Sequence, residues 1–295
     1  MPPQFIKFHG FGNDYIVIES RSLELAGITA TSQLEELSQR ICNRHYGAGA
    51  DGIAIVSSSE DRRADFHVRI FNPDGSEASL SGNGTRCAAA YLYYRRLWTA
   101  IELRLSTRAG IKLYTLREQT DPGRYVFDSE LGQPKFDSAS IPMITERPLD
   151  KVIDYQLDVA GEPFPVTALQ MGNPNCCIFV DKFDSLDWRK IGRAIETHEQ
   201  FPDRTNVVFV RVQDRNTIEL RIWERGVGET EASGTCSCAA AVAAMIKEQT
   251  ERAVTVLMPG GQAGIQWRPD GEVVITGTAE VIYGGDWLTL TVSPA

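Results

Sequence analysis

Apolar residues along the chain fall into two patterns: short unbroken or alternating runs, and stripes with members three or four positions apart. The runs 101–106, 112–116, 152–157, 207–212, 217–222, 254–258 and 273–275 are short and rich in Val, Ile, Leu and Thr, which predicts strands. Turn signals lie between them, among them Asp121-Pro122-Gly123, Pro259-Gly260-Gly261 and Pro269-Asp270-Gly271. Leu34, Leu37 and Ile41 share one helical face behind Ser32-Gln33-Leu34-Glu35, which has the form of a capping box. Leu186, Ile191 and Ile195 make a similar stripe later. With few long helices and no strand–helix–strand rhythm, the sheets should be largely antiparallel. The pattern predicts an α+β protein of two domains, each a strongly curved sheet around one main helix.

The chain also repeats itself. Residues 69–90 read RIFNPDGSEASLSGNGTRCAAA, and residues 221–242 read RIWERGVGETEASGTCSCAAAV. A gapless shift of 152 positions superimposes Arg69 on Arg221, Ile70 on Ile222, Glu77 on Glu229, Ser81 on Ser233 and Gly82 on Gly234. Gly12-Asn13-Asp14 and Gly172-Asn173-Pro174 echo each other more loosely, each ahead of an apolar run. Repetition at half the chain length predicts a duplicated fold. The halves should span 1–132, joined by a C-terminal strand at 279–295, and 133–278. A linker is expected near 133–148, where Pro, Ser and Asp accumulate.

Composition removes several classes. A net charge of −9 argues against a nucleic-acid partner, which needs a basic face. No apolar run approaches the roughly 20 residues of a membrane helix, and Met-Pro-Pro-Gln-Phe-Ile-Lys is not a signal peptide. A cytoplasmic location is expected. Cys176-Cys177 and Cys236-x-Cys238 lack C-x-x-C spacing, and His9, His45, His67 and His198 are scattered. No metal site is therefore expected, and buried thiols are the better reading of Cys42, Cys87 and these four.

Chemistry concentrates at the repeat. Ser81-Gly82-Asn83-Gly84-Thr85 and Ser233-Gly234-Thr235 each precede an Ala-rich helix. A Gly-containing turn at a helix start presents unpaired backbone N–H groups beside the positive end of the helix dipole, a place for a carboxylate or phosphate. One such loop alone reads more readily as an ordinary cap. Two at duplicated positions favour a small anion held between facing helix starts in a shared cleft. Asn13, Asn72, Asn173 and Asn206 stand at strand ends or turns, where an amide can bond ammonium or carboxylate groups. Glu224-Arg225 closes a strand before the second loop and reads either as a binder of an amino acid's two charges or as a surface ion pair.

These residues resemble the diaminopimelate epimerase family. The likeness runs through His9-Gly-Phe-Gly-Asn-Asp-Tyr, Gly47-Ala-Gly-Ala-Asp51-Gly, Arg69-Ile-Phe-Asn-Pro-Asp-Gly-Ser-Glu77, Gly82-Asn-Gly-Thr-Arg86-Cys, Met171-Gly-Asn-Pro174, Arg204-Thr-Asn206-Val and Glu224-Arg-Gly-Val-Gly-Glu-Thr230. It implies two pseudo-symmetric α+β domains with the active site in the interdomain cleft. It also implies cofactor-independent inversion of LL-diaminopimelate to the meso isomer by two bases, one on each face of the α-carbon. Carried over by motif, Asn13, Asn72, Asn173, Asn206, Glu224 and Arg225 hold the substrate's amino and carboxylate groups. The backbone of Gly82-Asn83 and Gly234-Thr235 cradles the reacting carboxylate. The expected partner is diaminopimelate or a similar small amino acid, and the resemblance leaves a homodimer open.

The sequence departs from the family where protons move. Ser81 and Ser233 occupy the positions of the two catalytic cysteines, and Asn175 replaces the histidine of a Gly-Asn-Pro-His motif. A thiol has a pKa of about 8.5, which a helix start lowers; a serine hydroxyl is a far weaker acid. Five pKa units cost on the order of 7 kcal/mol, or about 10⁵ in rate. A helix dipole returns only roughly 0.3–2 kcal/mol. The expectation is impaired or altered epimerisation at Ser81 and Ser233, with Glu224 or Asp74 as candidate assisting bases. The alternatives are a catalytically weak amino-acid binding protein, or an isomerase or racemase of another small amino acid.

Overall fold

Two compact units, 1–129 with 277–295 and 130–276, carry similar successions of strands and helices. The architecture comes from a computed structural model that describes residues 1–120 and 123–288. Asp121-Pro122, and the part of the expected C-terminal strand at 289–295, lie outside the described residues.

In the first unit β1 (Gln4–Gly10) and β2 (Asn13–Glu19) form a hairpin. The tight turn sets Phe11 and Gly12 at φ 58° and 80°. Helices α1 (Ser20–Leu25) and α2 (Thr31–Ile41) carry the chain to β3 (Gly52–Ser58), parallel to β2. Antiparallel β4 (Phe66–Phe71) and β5 (Glu77–Ala78) follow. Helix α3 (Gly82–Tyr94) then crosses to β6 (Glu102–Thr107), which lies parallel to β4. The meander closes with β7 (Gly110–Thr120) and β8 (Arg124–Gly132).

The second unit repeats the scheme. After β9 (Val152–Val159), the hairpin β10 (Glu162–Gln170)–β11 (Pro174–Phe179) leads through α4 (Trp188–Glu196) to parallel β12 (Asn206–Asp214). Antiparallel β13 (Thr217–Glu224) and β14 (Gly228–Thr230) precede α5 (Gly234–Ile246). β15 (Ala253–Met258) runs parallel to β13, and β16 (Gly261–Trp267) with the start of β17 (Val273–Asp286) completes the unit. The C-terminal part of β17 pairs with β1 in the first unit.

Most neighbours are antiparallel, as the strand pattern predicts. The absence of any strand–helix–strand rhythm does not hold: each unit contains two parallel pairs. The crossovers behind them are α1–α2, α3, α4 and α5, since parallel neighbours cannot be joined by a tight turn. Two local expectations are also corrected. Helix α2 begins at Thr31, and Gln33 Oε1 accepts from the backbone N–H of Thr29 (2.9 Å) and Ala30 (3.0 Å), so Ser32 is not the cap. Segment 133–148 is no loose linker. Its Ile141 and Met143 are buried in the second unit's core, and Lys135 pairs with Gln170.

The repeated Ala-rich helices fill the two cores. Cys87, Ala88, Ala89 and Ala90 of α3, and Cys236 to Ala244 of α5, are buried. Small side chains let each helix lie close to its strands, and larger ones there would overpack by roughly 1–3 kcal/mol. Gly84 shows the constraint most directly: a Cβ there would sit 2.8 Å from the Tyr15 ring and 3.0 Å from Ile70 Cδ1.

Candidate functional site

The two duplicated loops become the starts of α3 and α5, helices of 13 residues each. Their N-caps are Ser81 (φ −132°, ψ 121°) and Ser233 (φ −146°, ψ 124°). Four residues on, the Thr85 and Ser237 hydroxyls donate back to the Ser81 and Ser233 carbonyls, each at 2.7 Å. Gly82 and Asn83, and Gly234 and Thr235, are the first helical residues after these caps. An α-helix leaves the N–H groups of such positions without an intrahelical acceptor.

The backbone repeats, but the two serine side chains do not behave alike. Ser81 Oγ accepts from Gly84 N–H at 3.1 Å, an ordinary N-cap bond. Ser233 Oγ makes no cap bond and donates instead to Glu224 Oε2 at 3.1 Å. The other Glu224 oxygen accepts from Thr230 Oγ1 at 2.6 Å. Burial raises the Glu224 carboxyl above its ordinary value, with the two hydroxyl donors acting against that rise. In the first unit, Asn72 stands where the repeat register puts Glu224, and its amide donates to Ser76 Oγ. Burial pushes the Tyr15 phenol up to about 12, and its hydrogen bond with Ser81 opposes the shift.

Beside each helix start runs a chain of amides. In the first unit Asn13 Nδ2 donates to Asp51 Oδ2 (2.7 Å), Asn83 Nδ2 donates to Asn13 Oδ1 (3.1 Å), and Arg86 Nη1 donates to Asn83 Oδ1 (3.0 Å). Arg44 clamps Asp14 through two hydrogen bonds of 3.0 and 2.8 Å and reaches Asp51 at 2.7 Å; Lys7 pairs with Asp14 at 2.7 Å. Burial alone would raise the Asp14 carboxyl, but bonds from Arg44, Lys7 and Asp51 outweigh it and hold it at about 2.

In the second unit the backbone N–H of Arg225 donates to Asn206 Oδ1 (2.9 Å) and Asn206 Nδ2 donates to Asn175 Oδ1 (3.2 Å). Asn175 Nδ2 then donates to Asn173 Oδ1 (3.0 Å) and to its backbone carbonyl (2.7 Å). Asn175 is fully buried and links Asn173 to Asn206.

The structure thus joins Asn13 and Asn83 in one unit and Asn173, Asn206 and the Arg225 backbone in the other. Ser233 is joined to Glu224. Asn72 stands apart from these chains in the Ser76 turn. The Arg225 guanidinium donates to the Asp203 carbonyl at 3.1 Å. Thr235 Cγ2 comes within 3.9 Å of where a Gly172 Cβ would lie, so the Asn173 turn sits by the α5 start. Asp74, a candidate assisting base, accepts from Ser76 Oγ at 2.6 Å, and the Ser76 bonds hold its carboxyl below the ordinary value. Sequence reasoning missed the linking roles of Asp51, Arg86 and Asn175; the spacing Asn173-x-Asn175 was the available signal for the last.

All six cysteines are buried and free. Burial raises the thiols of Cys42 to about 11 and Cys87 to about 12, and it raises Cys176, Cys177 and Cys236 further. Such thiols are poor proton carriers. Among the described residues no group of His, Cys, Asp and Glu is arranged to hold a metal ion, and no helix is long and apolar enough to cross a membrane.

Comparison with known proteins points one way. A family model described as diaminopimelate epimerase matches residues 5–136 and 167–282. A diaminopimelate epimerase of Pelotomaculum thermopropionicum is 39% identical over 283 residues, covering 96% of this chain and 98% of its own. One from Desulfitobacterium hafniense is also 39% identical, covering 96% and 97%. Among solved structures, methylitaconate-delta-isomerase superposes with a TM-score of 0.65 at 15% identity, covering 100% of this chain and 98% of that one. A PhzF-family phenazine biosynthesis protein of Bacillus anthracis gives 0.64 at 17%, covering 98% and 99%. These two show the fold.

Proposed function

The chain belongs to the diaminopimelate epimerase family, and from that premise we propose that it inverts the α-carbon of LL-diaminopimelate to the meso isomer without a cofactor. The substrate is a small amino acid with two ammonium–carboxylate ends. Asn13, Asn72, Asn173, Asn206, Glu224 and Arg225 hold those groups, and the first N–H groups of α3 and α5 cradle the reacting carboxylate. Charge developing on that carboxylate after α-proton loss is what donors at a helix start stabilise best.

The observation that carries this reading is the pair of duplicated caps, Ser81 and Ser233, at two 13-residue helix starts beside amide chains. Inversion needs a proton taken from one face of the α-carbon and another delivered to the opposite face. The Ser233–Glu224 hydrogen bond supports Ser233 as the better base: its hydroxyl proton passes to a carboxylate whose basicity burial has raised. Ser81 then delivers its hydroxyl proton on the other face, and water restores that proton as Glu224 gives up the one it took. General acid–base assistance is worth roughly 10²–10⁴, whereas replacing thiol by hydroxyl costs about 10⁵. The substitution therefore wins, and turnover is slow.

A second reading is a holding protein with little chemistry. It is favoured by Ser81 itself, whose hydroxyl is engaged as a helix cap. The test is α-proton exchange: LL- and meso-diaminopimelate are incubated with the protein in deuterated buffer, with affinity measured in parallel. Interconversion with loss of the α-proton signal supports epimerisation. Tight binding without exchange supports holding, and no binding of either isomer rejects diaminopimelate as the ligand.

A further inference from the structure

The first unit's amide chain has a feature that its hydrogen bonds alone define. The orientation of an asparagine amide, and so which side donates and which accepts, is set by the hydrogen bonds around it. Here both ends of the chain are charged. Asp51, as a carboxylate, can only accept, and the Arg86 guanidinium can only donate. Each intervening bond has one direction that satisfies both ends: Arg86 Nη1 to Asn83 Oδ1, Asn83 Nδ2 to Asn13 Oδ1, and Asn13 Nδ2 to Asp51 Oδ2. Turning either amide would set oxygen against oxygen at one contact and N–H against N–H at the next.

The two ends are themselves fixed. Asp51 is held by Arg44 at 2.7 Å and accepts from the backbone N–H of Asp14 at 3.0 Å. Arg86 is 1% exposed, lies 5.0 Å from the Phe11 ring centre, and is packed so closely that a Cβ on Gly277 would meet its Cζ at 2.9 Å. With one Nδ2 hydrogen and the oxygen of each amide engaged inside the protein, each amide keeps one N–H as its remaining donor. Two remaining N–H donors at the start of α3 suit a carboxylate.

We propose that Asp51 and Arg86 are positioning residues that lock the Asn13 and Asn83 amides in the orientation presenting N–H donors, so that the first unit selects the carboxylate of its ligand. The ligand part of this proposal rests on the reading that Asn13 and Asn83 touch an amino-acid substrate; the locking does not. In unbroken hydrogen-bond chains each bond polarises the next, so a change at one end reaches the far amide.

The locking is tested without ligand, on the full chain, by NMR of ¹⁵N-labelled asparagine side chains. Asp51→Asn replaces a pure acceptor by a group able to donate. It is expected to shift the side-chain amide signals of both Asn13 and Asn83, although Asp51 bonds only the former. Arg86→Lys should shift the same two signals from the other end. A shift confined to the adjacent asparagine in each variant would overturn the locked chain.

Affinity for diaminopimelate tests the selection. Asn13→Ala, Asp51→Asn and Arg86→Lys are each expected to weaken binding about tenfold. Asp51→Asn with Arg86→Lys should lose less than the product of the two single losses, because residues in one network couple. Unchanged affinity in Asn13→Ala would reject the contact with substrate while leaving the NMR result standing. Weakened affinity in Asn13→Ala with none in Asp51→Asn or Arg86→Lys would reject the positioning role itself.

Discussion

The starts of α3 and α5 share length, cap residue and back-bonding hydroxyl, yet they differ in what surrounds the serine. Ser81 accepts from Gly84 N–H and stands beside the Tyr15 phenol. Ser233 leaves its cap unmade and donates to Glu224. The supporting amides differ in the same spirit: the first unit anchors Asn13 and Asn83 between Asp51 and Arg86, while the second runs Asn206, Asn175 and Asn173 from a backbone N–H to a backbone carbonyl. A duplicated backbone therefore does not carry duplicated chemistry. In one copy the serine hydroxyl caps its helix, and in the other it bonds a buried carboxylate.

The largest effect is expected from placing a thiol on each side in turn. Ser81→Cys supplies a proton carrier where assistance is weakest, and should raise inversion by up to about 10⁵. Ser233→Cys alone should change inversion little, because the Ser81 step still limits it. Steady-state inversion rates of the two variants check this, and equal gains would end the asymmetry.

Next in size is Glu224→Gln, expected to reduce α-proton exchange by roughly 10²–10⁴. Because burial raises the Glu224 carboxyl, the acid limb of the exchange–pH profile should lie above the ordinary 4.5. Exchange should grow as pH rises through that limb, and the limb should vanish in the Gln variant.

Smaller effects separate the supports. Asp14 titrates at about 2 in the folded protein against an ordinary 3.8. A depressed carboxyl stabilises the fold above its unfolded pKa, and that stability is lost as pH falls through the folded value. It amounts to about 2 kcal/mol. Denaturant unfolding should show Asp14→Asn less stable at neutral pH, with the gap closing between about pH 4 and pH 2. Smallest of all, Ser81→Ala should cost about 1 kcal/mol at every pH, as loss of a cap does. The cost of Ser233→Ala should instead shrink as pH falls through the Glu224 titration, since charged acceptors bind hydroxyls more strongly.

Much of the fold was legible from hydrophobic runs and from the repeat, because strand periodicity and turn residues are local signals. The parallel pairs β2–β3, β4–β6, β11–β12 and β13–β15 were not, since parallel pairing is a long-range outcome of where a crossover helix packs. Segment 133–148 looked like a linker because Ile141 and Met143 are too few to show a period, although both are buried. At the site, the loops and asparagines were visible as residue types at strand ends. Which amide bonds which, and that Ser233 faces Glu224 while Ser81 does not face a matching acid at Asn72, depends on side-chain geometry that no spacing encodes.

The most direct measurement follows deuterium into the α-position from LL- and meso-diaminopimelate separately, with isomer composition recorded at each time point. One isomer, the one presenting its α-proton to Ser233, is expected to exchange faster than it inverts, while the other exchanges no faster than inversion. Equal exchange from both isomers, with every deuterium incorporated accompanied by inversion, would contradict it.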